Sequence, residues 1–143
     1  MRRYSYETET AVSAEKLFRA KTDIAHWPDW DSELETTSFD APLRAGSPFM
    51  LKPKGGPKVA MRIEEIEEPR RFVDLALLPL AKMRTSTEFL PCAIGAGAGT
   101  RVRVVIEVFG PLALLWDWIV ARKLAADCEH QTRAFVAAAE QRS

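Results

Sequence analysis

Asp74 stands in the run FVDLALL, the one charged side chain between Phe72 and Leu78. A carboxyl enclosed by apolar neighbours holds its proton to a higher pH than it would in water. Such a group can take a proton from a ligand or offer one to a ligand carbonyl. Asp74 does so only if the Phe72 side of its strand points inward. If Val73, Leu75 and Leu77 point inward instead, Asp74 lies in solvent, and the sequence leaves both orientations open. Asp117, inside LALLWDWIV, poses the same question. Other candidate groups are weaker. His26, Asp29 and Asp31 cluster beside Trp27 and Trp30, but a metal needs convergent ligands, and the second histidine, His130, falls on the polar side of a long helical segment. Loop capping and solvated charge explain that cluster, and no metal is expected. Cys128 has no evident base to activate it as a nucleophile. GAGAG, residues 95–99, lies between two strand-like runs, whereas a dinucleotide-binding loop opens a helix. It reads as a flexible hairpin, and no cofactor is expected.

The element that must position these groups is the last one. From Pro111 to Gln141 the chain has no further proline and no glycine, and Pro111 suits the first helical position. At 100° per residue, Leu114, Trp118, Ala121, Leu124, Ala125, Cys128, Thr132, Phe135, Val136 and Ala139 share one broad stripe. Its middle is small (Ala121, Ala125, Cys128, Thr132), which fits either close packing on a sheet or space left for a ligand. The first turns, Leu112 to Val120, are apolar all round apart from Asp117. Cover by loops is the expected arrangement, with a sticky mouth or a dimer patch as alternatives.

Upstream, Tyr4, Tyr6, Thr8 and Thr10 alternate with Arg3, Ser5, Glu7 and Glu9, the pattern of a half-buried strand. Ser13 caps a short helix to about Lys21. A second short turn, Asp23 to Trp27, is expected to stop at Pro28. Strands follow over Glu33–Phe39 and around Phe49 and Leu51, then after the lysine-bearing turn Lys52–Lys58. In the Val59–Ile66 run the phase slips at Ile66, which predicts a bulge. Further strands cover Phe72–Leu78, Met83–Phe89 with Met83, Thr85, Thr87 and Phe89 on one face, and Val102–Val108. Consecutive hairpins imply an antiparallel sheet whose apolar face only the last helix is long enough to cover. A cavity between them would be lined by Tyr6, Thr8, Trp30, Phe49, Leu51, Met61, Phe72, Met83, Thr85, Thr87, Val104 and Trp118. Leu124 and Cys128 would join from the helix, and Asp74 if its strand turns that way. Apolar walls with a few hydroxyls suit a largely hydrophobic ligand; an ordinary filled core is the alternative.

The 143 residues fit one domain, residues 1–143, with no internal repeat. Twenty basic and twenty acidic residues cancel, so no net field draws the chain to nucleic acid or an anionic membrane. No run is long enough to span a bilayer. Cys92 and Cys128 are expected as free thiols, and the amino terminus lacks an apolar leader stretch, so a cytoplasmic location is expected.

Several stretches together resemble one superfamily. VSAEKLFRAKTDIAHWPDWDSEL (Val12–Leu34), LRAGSPFMLKP (Leu43–Pro53), EEPRRFVDLALLP (Glu67–Pro79) and GAGTRVRVVIEVFGPL (Gly97–Leu112) are similar to the START-like (SRPBCC, Bet v 1-like) proteins. Their polyketide cyclase/dehydrase and lipid-transport group is the best match. The resemblance implies an α+β helix-grip fold: a seven-stranded antiparallel sheet wrapped around a long C-terminal helix, with two short helices after the first strand. It also implies a deep, mostly apolar cavity. Members bind lipids, sterols, quinones, polyketides or plant hormones, and a minority cyclise or dehydrate polyketides. The first expectation is therefore a binding or transport protein for a small hydrophobic or amphipathic ligand. A polyketide cyclase/dehydratase is the second, with Asp74 as its acid–base candidate. A non-catalytic homodimer joined through Leu112, Leu115, Trp116 and Ile119 is the third.

Overall fold

The computed structural model describes residues 2–141. Strand β1 (Arg2–Thr10) is followed by α1 (Ala14–Thr22) and a 3-10 helix (Ile24–Asp29). Six strands follow: β2 (Leu34–Ser38), β3 (Pro48–Pro53), β4 (Val59–Glu67), β5 (Arg71–Leu78), β6 (Ala81–Ile94) and β7 (Gly97–Phe109). The chain ends in one helical rod with three parts: α2 (Ala113–Trp116), a π-helical turn (Asp117–Ala121) and α3 (Arg122–Gln141). All seven strands join one antiparallel sheet in the order β1-β7-β6-β5-β4-β3-β2. The helix-grip fold implied by the resemblance is the fold observed.

Local chemistry accounts for most of these elements. The Ser13 hydroxyl accepts the Lys16 amide at 3.3 Å and starts α1, whose Leu17 and Phe18 are buried. The slip near Ile66 is a true bulge, since the β4–β5 register shifts between Ile63 and Glu65. Gly110, at φ +112, turns the chain from β7 into the terminal helix; a Cβ there would come within 2.9 Å of the Ala81 Cα. Two expectations need small corrections. Pro28 lies inside the 3-10 helix rather than ending it, because the tighter turn does not need its missing N–H. The hairpin expected at residues 95–99 is tight rather than flexible: β6 and β7 run to Ile94 and from Gly97, leaving a two-residue turn with Gly95 at φ +56.

The terminal helix departs further from a regular stripe. Ala121, Cys128, Thr132, Phe135 and Ala139 are buried as the periodicity predicts. Upstream of Ala121 the buried residues are Asp117 and Ala113, not Leu114 and Trp118, which are 66% and 69% exposed. The π turn explains the change. It takes more residues per turn than an α-helix, so every position before it is rotated relative to the stripe behind it. Nor do loops cover the first turns: Leu115 and Ile119 are exposed as well.

The core has two parts. Trp27, Phe49, Met61, Ile63, Phe72, Ala76, Met83, Ile106 and Val108 pack with Ala113 and Ala121 of the terminal helix. Leu17, Phe18, Phe89 and Val102 pack with Phe135 and Ala139 under α1. The convex face carries arginine–glutamate pairs, including Arg71 with Glu65 and Glu88, and Arg84 with Glu64 and Glu107. Val73 and Leu75 are buried on that same convex face.

Candidate functional site

Burial on both faces of β5 is why the sequence could not orient Asp74. In the structure Phe72, Asp74 and Ala76 point to the concave side, toward the terminal helix, and Asp74 is 5% exposed. Its neighbours in register are Ile63 on β4 and Thr85 on β6, and Thr85 in turn faces Ile106 and then Tyr4. The next row toward α1 holds Phe72, Thr87, Val104 and Tyr6. Asp74 and Thr87 are thus diagonal neighbours on an otherwise apolar wall. The Thr87 hydroxyl is buried without a hydrogen bond, and beside it the Asp74 carboxyl is buried with Lys21 as the charge that acts on it. Burial pushes the Asp74 carboxyl up to about 6, against a smaller opposing pull from Lys21.

Lys21 is the residue that sequence reasoning missed. It sits in the last turn of α1, where a lysine reads as an ordinary partner of the helix dipole. Its ammonium lies 5.1 Å from the Trp27 ring, 5.9 Å from Trp30 and 5.6 Å from Phe135. The charge is therefore held over three aromatic faces, close enough to act on Asp74, Asp31 and Cys128. Two tryptophans a few residues after a lysine were the only signal available. Burial raises the Cys128 thiol, consistent with an unreactive side chain.

A cavity of about 120 Å³ separates β1 and β7 from the small middle of the terminal helix. Tyr4, Tyr6, Val104 and Ile106 form its sheet side, Ala125 and Cys128 its helix side, and it opens to solvent. Tyr6, Val104 and Cys128 belong to the expected lining; Tyr4, Ile106 and Ala125 do not. The remaining candidates separate into groups. Phe49, Met61, Phe72 and Met83 fill the core, with Trp30, Leu51 and Leu124 packed on it. Thr85 and Thr87 stand beside Asp74. Thr8 lines a different hollow, about 200 Å³, between β1 and Arg133, Val136 and Glu140 of α3. Trp118 faces solvent, for the reason the π turn supplies. Most of the expected lining is thus packed core, and the open space is much smaller than the deep cavity the resemblance implied.

Asp117 has a structural role. It is 1% exposed, accepts the Tyr4 hydroxyl at 2.5 Å, and lies 3.8 Å from Arg2 and 3.7 Å from Arg122. Among the described residues, no group of three or more histidine, cysteine or carboxylate side chains could hold a metal. His26 pairs with Asp23 at 2.8 Å. Cys92 and Cys128 are both free.

The chain belongs to the polyketide cyclase/dehydrase and lipid transport family, whose profile matches residues 1–140. No curated protein matches it in sequence. Its fold is shared with a hypothetical protein of Helicobacter pylori, 13% identical over 96% of this chain and 88% of that one, with a TM-score of 0.76. Norcoclaurine synthase of Thalictrum flavum is 11% identical, covering 99% and 95% of the two chains, with a TM-score of 0.74. A START superfamily protein of Mycobacterium smegmatis is 19% identical, covering 97% of each, with a TM-score of 0.67. At such identities these structures establish the architecture alone.

Proposed function

We propose that the protein binds one small amphipathic molecule, of lipid, quinone or polyketide-like chemistry, between the concave sheet and the terminal helix. The observation that carries this reading is the buried Thr87 hydroxyl, left without a hydrogen bond beside the buried Asp74 carboxyl on an apolar wall. A buried polar group without a partner costs roughly 1–3 kcal/mol, so such groups are rare unless something else satisfies them. A ligand hydroxyl or amine donating to Asp74, with its apolar body lying toward Tyr4, Tyr6 and Ala125, would do so. An apolar cavity of about 150 Å³ accepts a benzene ring. The space here therefore takes the edge of one ring, and a larger ligand must protrude through the open side or move the helix. Two free thiols fit a reducing, cytoplasmic setting.

The test is a titration with 2-naphthol of protein carrying Trp116→Phe and Trp118→Phe, so that the fluorescence followed is that of Trp27 and Trp30. Saturable quenching is expected, weakened at least tenfold in Asp74→Leu. Equal affinity in wild type and Asp74→Leu would remove Asp74 from the site. Absence of saturable quenching in both would count against the cavity itself.

A second reading, acid–base catalysis, is favoured by one observation: a carboxyl near 6 in the field of the Lys21 ammonium. In a polyketide-like substrate Asp74 would take a proton from the carbon between two carbonyls. The electron pair would pass to a carbonyl oxygen as an enolate, which Lys21 would stabilise. Deuterium exchange into a 1,3-diketone in heavy water checks this. Exchange above the buffer rate, lost in Asp74→Asn, is expected; the buffer rate alone would leave binding as the function.

A further inference from the structure

One end of the molecule gathers the start of β1, the turn between β5 and β6, and the first turns of the terminal helix. The backbone ties them together: the Leu112 amide donates to the Leu80 carbonyl at 3.0 Å, and the Trp116 indole donates to the Pro79 carbonyl at 2.9 Å. Of the seven large apolar side chains exposed among the described residues, five stand here: Leu80, Leu114, Leu115, Trp118 and Ile119. Concentration at one end marks a contact surface rather than ordinary scatter. The π turn puts them there, by rotating Leu114 and Trp118 away from the sheet.

Cations border this patch. Arg122 and Lys123 continue the exposed side of the helix beyond Trp118 and Ile119, and Lys82 follows the β5–β6 turn. Arg2 joins Arg122 beside the buried Asp117 carboxylate, which pairs with both and offsets one of their charges, so this cluster carries one net positive charge. The chain carries equal numbers of acidic and basic residues. Overall neutrality is therefore compatible with a local positive rim at this end.

We propose that this end docks on an anionic lipid surface, with Trp118, Leu115 and Leu80 entering the acyl boundary and Lys82, Arg122 and Lys123 meeting lipid phosphates. Apolar and aromatic side chains flanked by Lys and Arg suit that boundary, which has hydrocarbon on one side and anionic headgroups on the other. A second copy fits less well. A two-fold interface sets each patch against itself and so brings the positive rims together. The proposal does not depend on what the interior binds.

The test is co-sedimentation of the full chain with vesicles of phosphatidylcholine alone or mixed with phosphatidylglycerol. Binding to the mixed vesicles is expected, at least tenfold stronger than to phosphatidylcholine and falling as salt is raised. Trp118→Asp should abolish it, and the double variant Lys82→Glu with Lys123→Glu should remove the preference for phosphatidylglycerol. These positions are exposed, so thermal melts should match wild type. The proposal is overturned by absence of binding to either vesicle or by undiminished binding of Trp118→Asp. It is also overturned by a dimer in sedimentation velocity that Trp118→Asp dissociates while vesicles bind nothing.

Discussion

Asp74 and Asp117 are both carboxylates taken out of water, and their surroundings divide them. Asp117 has a tyrosine hydroxyl and two guanidinium groups within reach, whereas Asp74 has only the more distant Lys21. Removing Asp117 strands the Tyr4 hydroxyl and frees a buried space. Asp117→Ala should therefore lower stability by about 2–3 kcal/mol in urea denaturation. Asp74 should behave in the opposite way. Its folded carboxyl titrates near 6 against 3.8 ordinarily, so the folded state holds the proton more tightly than the unfolded one. Stability from this group is complete below about 3.8, is lost as the pH rises toward about 6, and stays lost above it. At neutral pH the loss amounts to roughly 3 kcal/mol. Asp74→Asn should melt higher than wild type at neutral pH, with the difference closing under acid. A lower melting temperature at neutral pH would mean that a partner already satisfies Asp74.

At the scale of elements, the terminal helix decides how much room the interior has. Ala121, Ala125 and Cys128 are small where the helix faces the sheet, and the cavity beside Tyr4 and Tyr6 follows from that. Ala125→Leu should fill it, leaving the melting temperature unchanged or raised while weakening 2-naphthol binding at least tenfold. Retained binding in a well-folded Ala125→Leu would place the ligand elsewhere. The stripe behind Ala121 was legible in the sequence because α-helical phase holds there. The stripe ahead of it was not, since one π turn shifts the phase and nothing in LLWDWIV marks it. The orientation of β5 was hidden for another reason: Val73 and Leu75 are buried on the convex face, so apolar character appears on both sides.

Over the whole molecule, the order of elements, the bulge in β4 and the inward faces of β1, β6 and β7 followed from alternation and turn residues alone. Local patterns were enough for these. The volume left inside was not legible, because it depends on how facing side chains interlock across distant elements. The position of Lys21 over three rings depends on the same long-range docking, of α1 against α3. Whether the interior receives a molecule can be read from native mass spectrometry of freshly purified protein, with extraction of whatever is released. A bound species of small amphipathic character is expected, present in wild type and lost in both Asp74→Leu and Ala125→Leu. A wild-type mass equal to the bare chain, unchanged after incubation with 2-naphthol, would contradict it.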